Sequence, residues 1–491
     1  MSNVLKRLIV FLIMCALFSC AHLPPTVDHL STNNAVERCL SFYTDLDALV
    51  ARYGVTPSRP ERIADFPYLR MTRFLAAFSN QRLDGGALQS WLNHLAAADK
   101  QARAIELASL ESRFQSKIAA KYSADPVVML EACPELLIAH DLEDPERLKL
   151  LRKRAVASDE YRLLNRMFGL YPLTQFFVKA AVHRYQNKIA TLFSQPLEKL
   201  PVHGKLQRFY MPQTGHAHES VTMVRDALGV PIPTTSQLNH LYARHAPVWE
   251  IDVAGRYDFP GKPFWNIDGK PDVDHVEAAI YRFPSYMFWQ GDVLLQLNYL
   301  IWFAERPDTG IFDIFSGRLD GLLWRVTLDT DGAVLIYDSI HACGCYHFFF
   351  PTDSLKLRPE AGRLPEPPLL PQLAPRLTSE EKIVIRVASG THYIQKLYAD
   401  TSSGQRMHWQ EYQTLYAIPA AGNGRTSLFQ TDGLVAGSER MERWLLWPMG
   451  VPSAGAMRER GRHATAFVGA RHFDDARLLD NLFEPASALI H

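Results

Sequence analysis

Two imidazoles and two thiols alternate along His341-Ala342-Cys343-Gly344-Cys345-Tyr346-His347, a spacing with clear chemical potential. Alternate side chains of a strand project to one face, so all four can point the same way. A straight strand cannot give all four to one metal. At about 3.3 Å per residue His341 and His347 would stand roughly 20 Å apart, whereas zinc ligands sit about 2.0–2.3 Å from the ion. A bend is required, and Gly344 can permit it. Three readings stay open. Cys343, Cys345 and one of His341 and His347 can help hold zinc or copper, whose ligands are sulfur and imidazole, with the remainder supplied from elsewhere. Alternatively the thiols form a redox pair, or one is a nucleophile activated by a nearby imidazolium. In the third reading the cysteines are bonded to each other or to Cys39 or Cys133, or are buried unreacted, and the histidines finish an aromatic strand end. The stretch lacks the two paired ligand clusters of a zinc ribbon or finger.

A second polar cluster can complete a site with the first. Arg462-His463-Ala464-Thr465 opens an expected strand over 463–468, and Arg471-His472-Phe473-Asp474-Asp475 follows it. A carboxylate beside a histidine fixes its tautomer for metal binding or general-base work, and Asp338 is a further candidate for that role. The catalytic candidates are therefore Cys343, Cys345, His463, His472 and Asp474, provided that they meet in one pocket. Asp272-Val273-Asp274-His275-Val276-Glu277 offers carboxylates to a cation but lacks the EF-hand layout, and reads as a solvated loop. His216-Ala217-His218-Glu219 precedes an expected helix start over 221–228. No Gly-x-Ser-x-Gly elbow, His-Glu-x-x-His helix, phosphate loop or dinucleotide fingerprint is present after the first twenty residues. The aromatic runs Phe264-Trp265, Tyr286-Met287-Phe288-Trp289, Tyr299 and Trp302-Phe303 can line a ligand pocket or pack a core. Gly433, Gly437 and Gly450 with Trp444 and Trp447 read as a tight loop around a packed core.

The elements that must position these residues change character near residue 245. Over 34–200 the period is helical: Val36, Leu40, Tyr43 and Leu46 recur at three- and four-residue intervals, as do Leu88, Leu92 and Leu95. Asp84 stands at a helix start, Gly54 at a helix end, and Pro172 in the first turn of a helix carrying Phe176 and Phe177. After a mixed segment over 201–245, β-formers dominate. Strands are expected at 248–253, 278–283, 294–303, 322–328, 334–340 and 383–388, with Asp329-Thr330-Asp331-Gly332 turning one hairpin. Six prolines over 358–377 mark a surface loop between the two β-rich parts, 246–357 and 378–491. The predicted fold class is α+β, an α-helical N-terminal domain followed by an antiparallel β-rich C-terminal domain.

At the N-terminus Lys6 and Arg7 precede an apolar run from Leu8 to Phe18, and Leu17-Phe18-Ser19-Cys20 ends it. The run covers roughly 18 Å as a helix, short of a roughly 30 Å hydrocarbon core, so it reads as an export signal. The segment resembles the signal and lipobox of bacterial lipoproteins. That resemblance, which reaches only to about Ala21, implies removal of residues 1–19, acyl chains such as palmitate on Cys20, and a tether over 20–33. Ala21 after the cysteine implies the outer membrane, facing the periplasm. In that oxidising compartment Cys39 and Cys133 form a candidate disulfide, the alternative being two buried thiols.

The 491 residues carry 52 basic and 52 acidic side chains, so no electrostatic case exists for nucleic acid. Membrane attachment then rests on Cys20, with a ligand or protein partner in the envelope. Without a complete catalytic signature, the expected function is a ligand- or partner-binding module. The alternative is a metal-dependent or Cys/His hydrolase, or a redox enzyme, built around 341–347.

Overall fold

The computed structural model describes residues 32–53, 57–212, 223–310, 313–421 and 424–486. Cys20, the signal segment and His216 to Glu219 lie outside the described residues. The class is α+β, with most helices ahead of the sheets.

The N-terminal part packs α1 (Thr32–Tyr53), α2 (Gly85–Ser109), α3 (Ser112–Tyr122), α4 (Pro126–Leu142) and α5 (Pro145–Arg154). In α1, Val36, Cys39, Phe42, Tyr43, Leu46 and Val50 are buried at the intervals that line one helical face. Asp84 caps α2 by accepting from the Ala87 N–H at 2.9 Å, and α4 and α5 begin with proline behind Asp125 and Asp144. A hairpin of β1 (Glu61–Ile63) and β2 (Phe66–Met71) sits among these helices, where helix alone was expected. Phe66, Tyr68, Leu69, Arg70 and Met71 are all buried, so the alternation that announces a strand is missing there. Arg70 pairs with Asp99 at 3.0 Å, and Arg103 with Glu106 at 3.0 Å, in a buried charge network. Cys39 and Cys133 are joined in a disulfide between α1 and α4, with Cα atoms 5.5 Å apart.

This helical core ends at Ala155 and takes in a few β-domain residues such as Phe288 and Val293. The next helices, α6 (Leu163–Phe168) and α7 (Tyr171–Ser194), depart from the expected 34–200 unit. Ile189 and Phe193 of α7 are buried in the core of the sheets.

Two large mixed sheets, accompanied among the described residues by three two-stranded ones, build the β-rich part. The first contains β7 (Ala279–Trp289), β8 (Asp292–Arg306), β9 (Gly317–Leu328), β10 (Val334–His341) and β11 (Phe348–Pro351) as antiparallel neighbours. The second contains β3 (Lys205–Tyr210), β4 (Val248–Val253), β12 (Glu381–Val387) and β13 (Ile394–Thr401). The expected antiparallel pattern is broken at β12, which runs parallel to β4, and at β14 (His408–Glu411), which runs parallel to β7. Each pairs with a strand far earlier in the chain, so no hairpin dictates its direction. Trp249, Ile251 and Ile385 from one sheet meet Tyr299, Trp324 and Val326 from the other in a shared core. A further cluster covers the outer face of the first sheet with Trp302, Ile340, Tyr412 and Met457. Burial on both faces explains the nearly unbroken apolar runs of β8 and β9.

The 329–332 turn forms as expected, with the Asp329 carboxylate accepting from the Asp331 and Ala333 N–H groups at 2.9 Å each. Three local expectations fail. Residues 463–468 form only an isolated bridge, Ala464 to His472. Their backbone groups bond instead to the Tyr161 hydroxyl and to the Glu366 carboxylate, which accepts from the Phe467 and Val468 N–H groups at 2.8 and 2.9 Å. From Met223 onward the expected helix is a turn held by Asp226, which accepts from the Leu228 and Val230 N–H groups. Pro271–Asp274 (β6) is a short strand paired with Lys262–Trp265 (β5), because Val273 is drawn into the core.

Candidate functional site

The 341–347 stretch is the tight turn between β10 and β11. The bend is real: Gly344 has φ of +94° and Tyr346 +61°, and the His341 N–H donates to the Cys345 carbonyl at 3.0 Å. A Cβ at Gly344 would lie 2.8 Å from the Ala464 carbonyl, so this position requires glycine twice over. The turn separates the four candidate ligands. His341 Nδ1 bonds to Asp320 at 3.3 Å, and His347 Nε2 bonds to Asp338 at 2.8 Å. Asp338 therefore does orient a histidine, and it also takes Arg325 in a two-point ion pair at 2.9 and 2.6 Å. Burial pushes the His347 imidazole down to about 4 despite that carboxylate, so the ring is neutral at pH 7.

Cys343 and Cys345 are free, buried and adjacent. A hydrogen bond with Cys343, followed by burial, lifts the Cys345 thiol well above its ordinary range. Such a thiol stays protonated, the opposite of what a nucleophile requires. Among the described residues no hydrogen bond joins an imidazole to either thiol, and no group of three or more His, Cys, Asp and Glu side chains is arranged to hold a metal.

The second cluster divides. His463 lies against the Gly344 turn, but its Nε2 faces the Ala342 carbonyl at 3.2 Å, and burial pushes it down to about 3. His472 turns away toward Asp159 at 3.2 Å and Asp475 at 3.4 Å, and its ring meets Tyr161 edge-on. Asp474 faces Arg73 of the helical part at 3.3 Å. The structure thus brings His463 to the cysteine turn and sends His472 and Asp474 to the junction between domains. The aromatic runs are also structural: Tyr286 and Phe288 pack at a tilt on Phe74, Phe288 meets Phe78 edge-on, and Trp302 and Tyr299 are fully buried.

What the turn does border is a cavity of about 1060 Å³. Its floor is Cys345, Tyr346, His347 and Phe348; its walls are α7, the 366–369 loop and residues 464–467. The lining is predominantly apolar, with Val178, Val182, Ile189, Leu192, Leu369 and Phe467 along its length. Exposed Phe177, Ala181, Lys188 and Leu445 rim its mouth. The volume is at the upper end of small-molecule sites, which run from about 300 to 1,000 Å³.

One end of the cavity is polar. Arg306, at the end of β8, donates to the Tyr393 hydroxyl at 3.1 Å, and the rings of Tyr346 and Tyr393 meet at 4.5 Å. The Tyr185 ring on α7 lies tilted 5.1 Å from that of Tyr346, and its buried hydroxyl has no hydrogen-bond partner among the described residues. A buried polar atom without a partner costs about 1–3 kcal/mol, so it marks a place where a ligand group can bond. Glu442 completes this end. Burial pushes its carboxyl up to about 7, against the pull of Arg306, Arg440 and Arg458.

A buried charge relay lies behind the tyrosines. His392 bonds through Nδ1 to Asp320 at 2.8 Å, faces Asp258 through Nε2 at 3.4 Å, and stacks on Phe303 at 3.9 Å. Burial would lower His392, but the two aspartates hold it above its ordinary value. Burial would raise Asp320, but His341 and His392 hold it well below the carboxylate range. This chain braces the turns that carry Tyr346 and Tyr393.

Sequence reasoning missed Tyr185, Arg306, Tyr393 and Glu442, which come from four separate segments. A weak signal existed in Glu442 among Arg440, Arg443 and Trp444, an acid set in a basic, aromatic run. No protein-family model matches this chain, and neither the curated proteins nor the solved structures contain a match.

Proposed function

We propose that the β-rich domain is a binding module for an elongated amphipathic ligand of the fatty-acid type. The apolar body lies along α7 and the acidic end meets Arg306, Tyr185 and Tyr393. The observation that carries this reading is the apolar cavity that ends in a cation and a buried hydroxyl without a partner among the described residues. The protonated Cys345 thiol favours binding over Cys/His chemistry. By the Leu17-to-Cys20 segment, the protein works as an outer-membrane lipoprotein tethered through acylated Cys20 and facing the periplasm. Incorporation of labelled palmitate that persists in Cys20→Ala would sink the tether.

A dansyl-labelled long-chain fatty acid tests the pocket. Wild type should bind it saturably, and Ala181→Trp, which puts a large side chain at the rim, should weaken binding at least about tenfold, or 1.4 kcal/mol. Saturable binding unchanged by Ala181→Trp, or no binding by wild type, rejects the proposal. A pH dependence follows from Glu442, whose carboxyl is neutral below about 7 and charged above it. The new charge opposes an acidic ligand and offsets Arg306, so affinity should fall as pH rises through 7. In Glu442→Gln that fall should disappear. An identical pH profile in both proteins would show that the ligand's acid group sits elsewhere.

A further inference from the structure

Beyond the cavity, the structure has a large apolar face. Leu163, Met167 and Phe168 of α6 and Leu173, Phe176 and Phe177 of α7 are all exposed, Phe168 to 78 % and Phe177 to 80 %. Next to them stand Met441, Trp444 and Leu445, exposed on the segment that contains the short helix α8 (Arg443–Leu446). The tight packed core expected around Trp444 and Trp447 is thus reversed, for both indoles reach solvent. The two halves are held as one surface. The Arg162 N–H donates to the Gly450 carbonyl at 2.8 Å, and Arg166 Nε to the Met449 carbonyl at 2.8 Å. A Cβ at Gly169 would come within 2.5 Å of the Pro448 side chain, so the α6–α7 corner closes on residues 447–449 through glycine. Soluble monomers rarely leave so many large apolar residues together in water.

Charge shows what covers this face. From Tyr161 to Leu197 there is no acidic residue, whereas Arg162, Arg166, Lys179, Arg184 and Lys188 are basic. Apolar and aromatic side chains flanked by lysine and arginine are the composition of helices that lie in a membrane interface, with indoles at headgroup depth. Cationic rims attract anionic headgroups at about 1 kcal/mol per basic residue near the surface. Among the described residues no helix is long and apolar enough to cross a membrane. The face is also continuous with the cavity, since Phe177 and Leu445 belong to both.

We propose that α6, α7 and residues 441–447 form a docking surface for an anionic phospholipid membrane, and that the cavity mouth opens toward that membrane. The contact is made by protein side chains and is separate from any lipid on Cys20. It presents the cavity to acyl chains at the bilayer surface, which goes beyond the binding reading and can fail without it.

Hydrogen exchange read by mass spectrometry on the full chain locates the contact whatever the N-terminus does. With vesicles of phosphatidylethanolamine and phosphatidylglycerol, amides of α6, α7 and 441–447 should exchange several-fold more slowly. Vesicles of phosphatidylcholine alone should protect them less, and added salt should weaken the effect. The double variant Phe177→Ser with Trp444→Ser changes exposed positions only and should lose at least about tenfold in the fraction protected, with an unchanged Tm. Slowed exchange confined to residues before 32 would mean that the chain is held by its N-terminus alone, and would overturn the proposal. Protection of α6 and α7 that rises with protein concentration without vesicles would assign the face to a second copy, and would overturn it equally.

Discussion

Asp338→Ala is expected to destabilise the protein by about 3–5 kcal/mol, because it strands a buried cation. Arg325 is 3 % exposed and bonds to both carboxylate oxygens of Asp338. Its third bond, to the Phe473 carbonyl at 2.7 Å, and its stacking 3.5 Å above the Phe473 ring cannot replace the lost charge. The same substitution also removes the partner of His347 Nε2. Denaturant unfolding should report the loss, and Asp338→Leu combined with Arg325→Met should recover most of it by removing both charges. A single-variant loss below about 1 kcal/mol would mean that the pair is hydrated and not structural. The pH dependence has a definite sign. Burial would raise Asp338, but Arg325 and His347 hold its carboxyl below the ordinary carboxylate value. The stabilisation is therefore present above the ordinary carboxylate range, near pH 4, and is lost as pH falls through the lower native value. Because Asp338 braces the turn carrying Cys345 and Tyr346, the alanine variant should also bind the dansyl fatty acid more weakly.

Replacing Cys39 and Cys133 together with serine should cost about 4–5 kcal/mol in the chain-entropy treatment, since the bridge spans 94 residues. It ties α1 to α4 across the helical core, so its loss should show first in the helical part. The wild-type protein treated with dithiothreitol should fall to the variant's unfolding midpoint, and the variant should not respond to it. A wild-type midpoint indifferent to reductant would mean that the helical core, with its buried Arg70, Asp99, Arg103 and Glu106 network, is stable without the bridge.

Much of the architecture was legible because it depends on local pattern. The three-to-four spacing of Val36, Tyr43 and Leu46 defines α1, the carboxylate of Asp84 starts α2, and the Asp329-to-Gly332 turn joins β9 to β10. The failures share one cause, a tertiary partner replacing a local one. Residues 463–468 satisfy their backbone through Tyr161 and Glu366 and need no strand beside them. β2 hid because both its faces are buried.

The site divides in the same way. Composition and spacing alone indicated that Gly344 can permit a bend in 341–347, that Asp338 can orient a histidine, and that Cys39 and Cys133 fall within one helical region. Only the tertiary structure decided that His341 and His347 face different aspartates, that Tyr185, Arg306, Tyr393 and Glu442 gather at one end of a cavity, and that Phe177 and Trp444 share a surface. The reason is the reach of each interaction. Turns, caps and helical faces are settled by side chains a few residues apart, whereas burial, pKa and the meeting of distant segments depend on which surfaces pack.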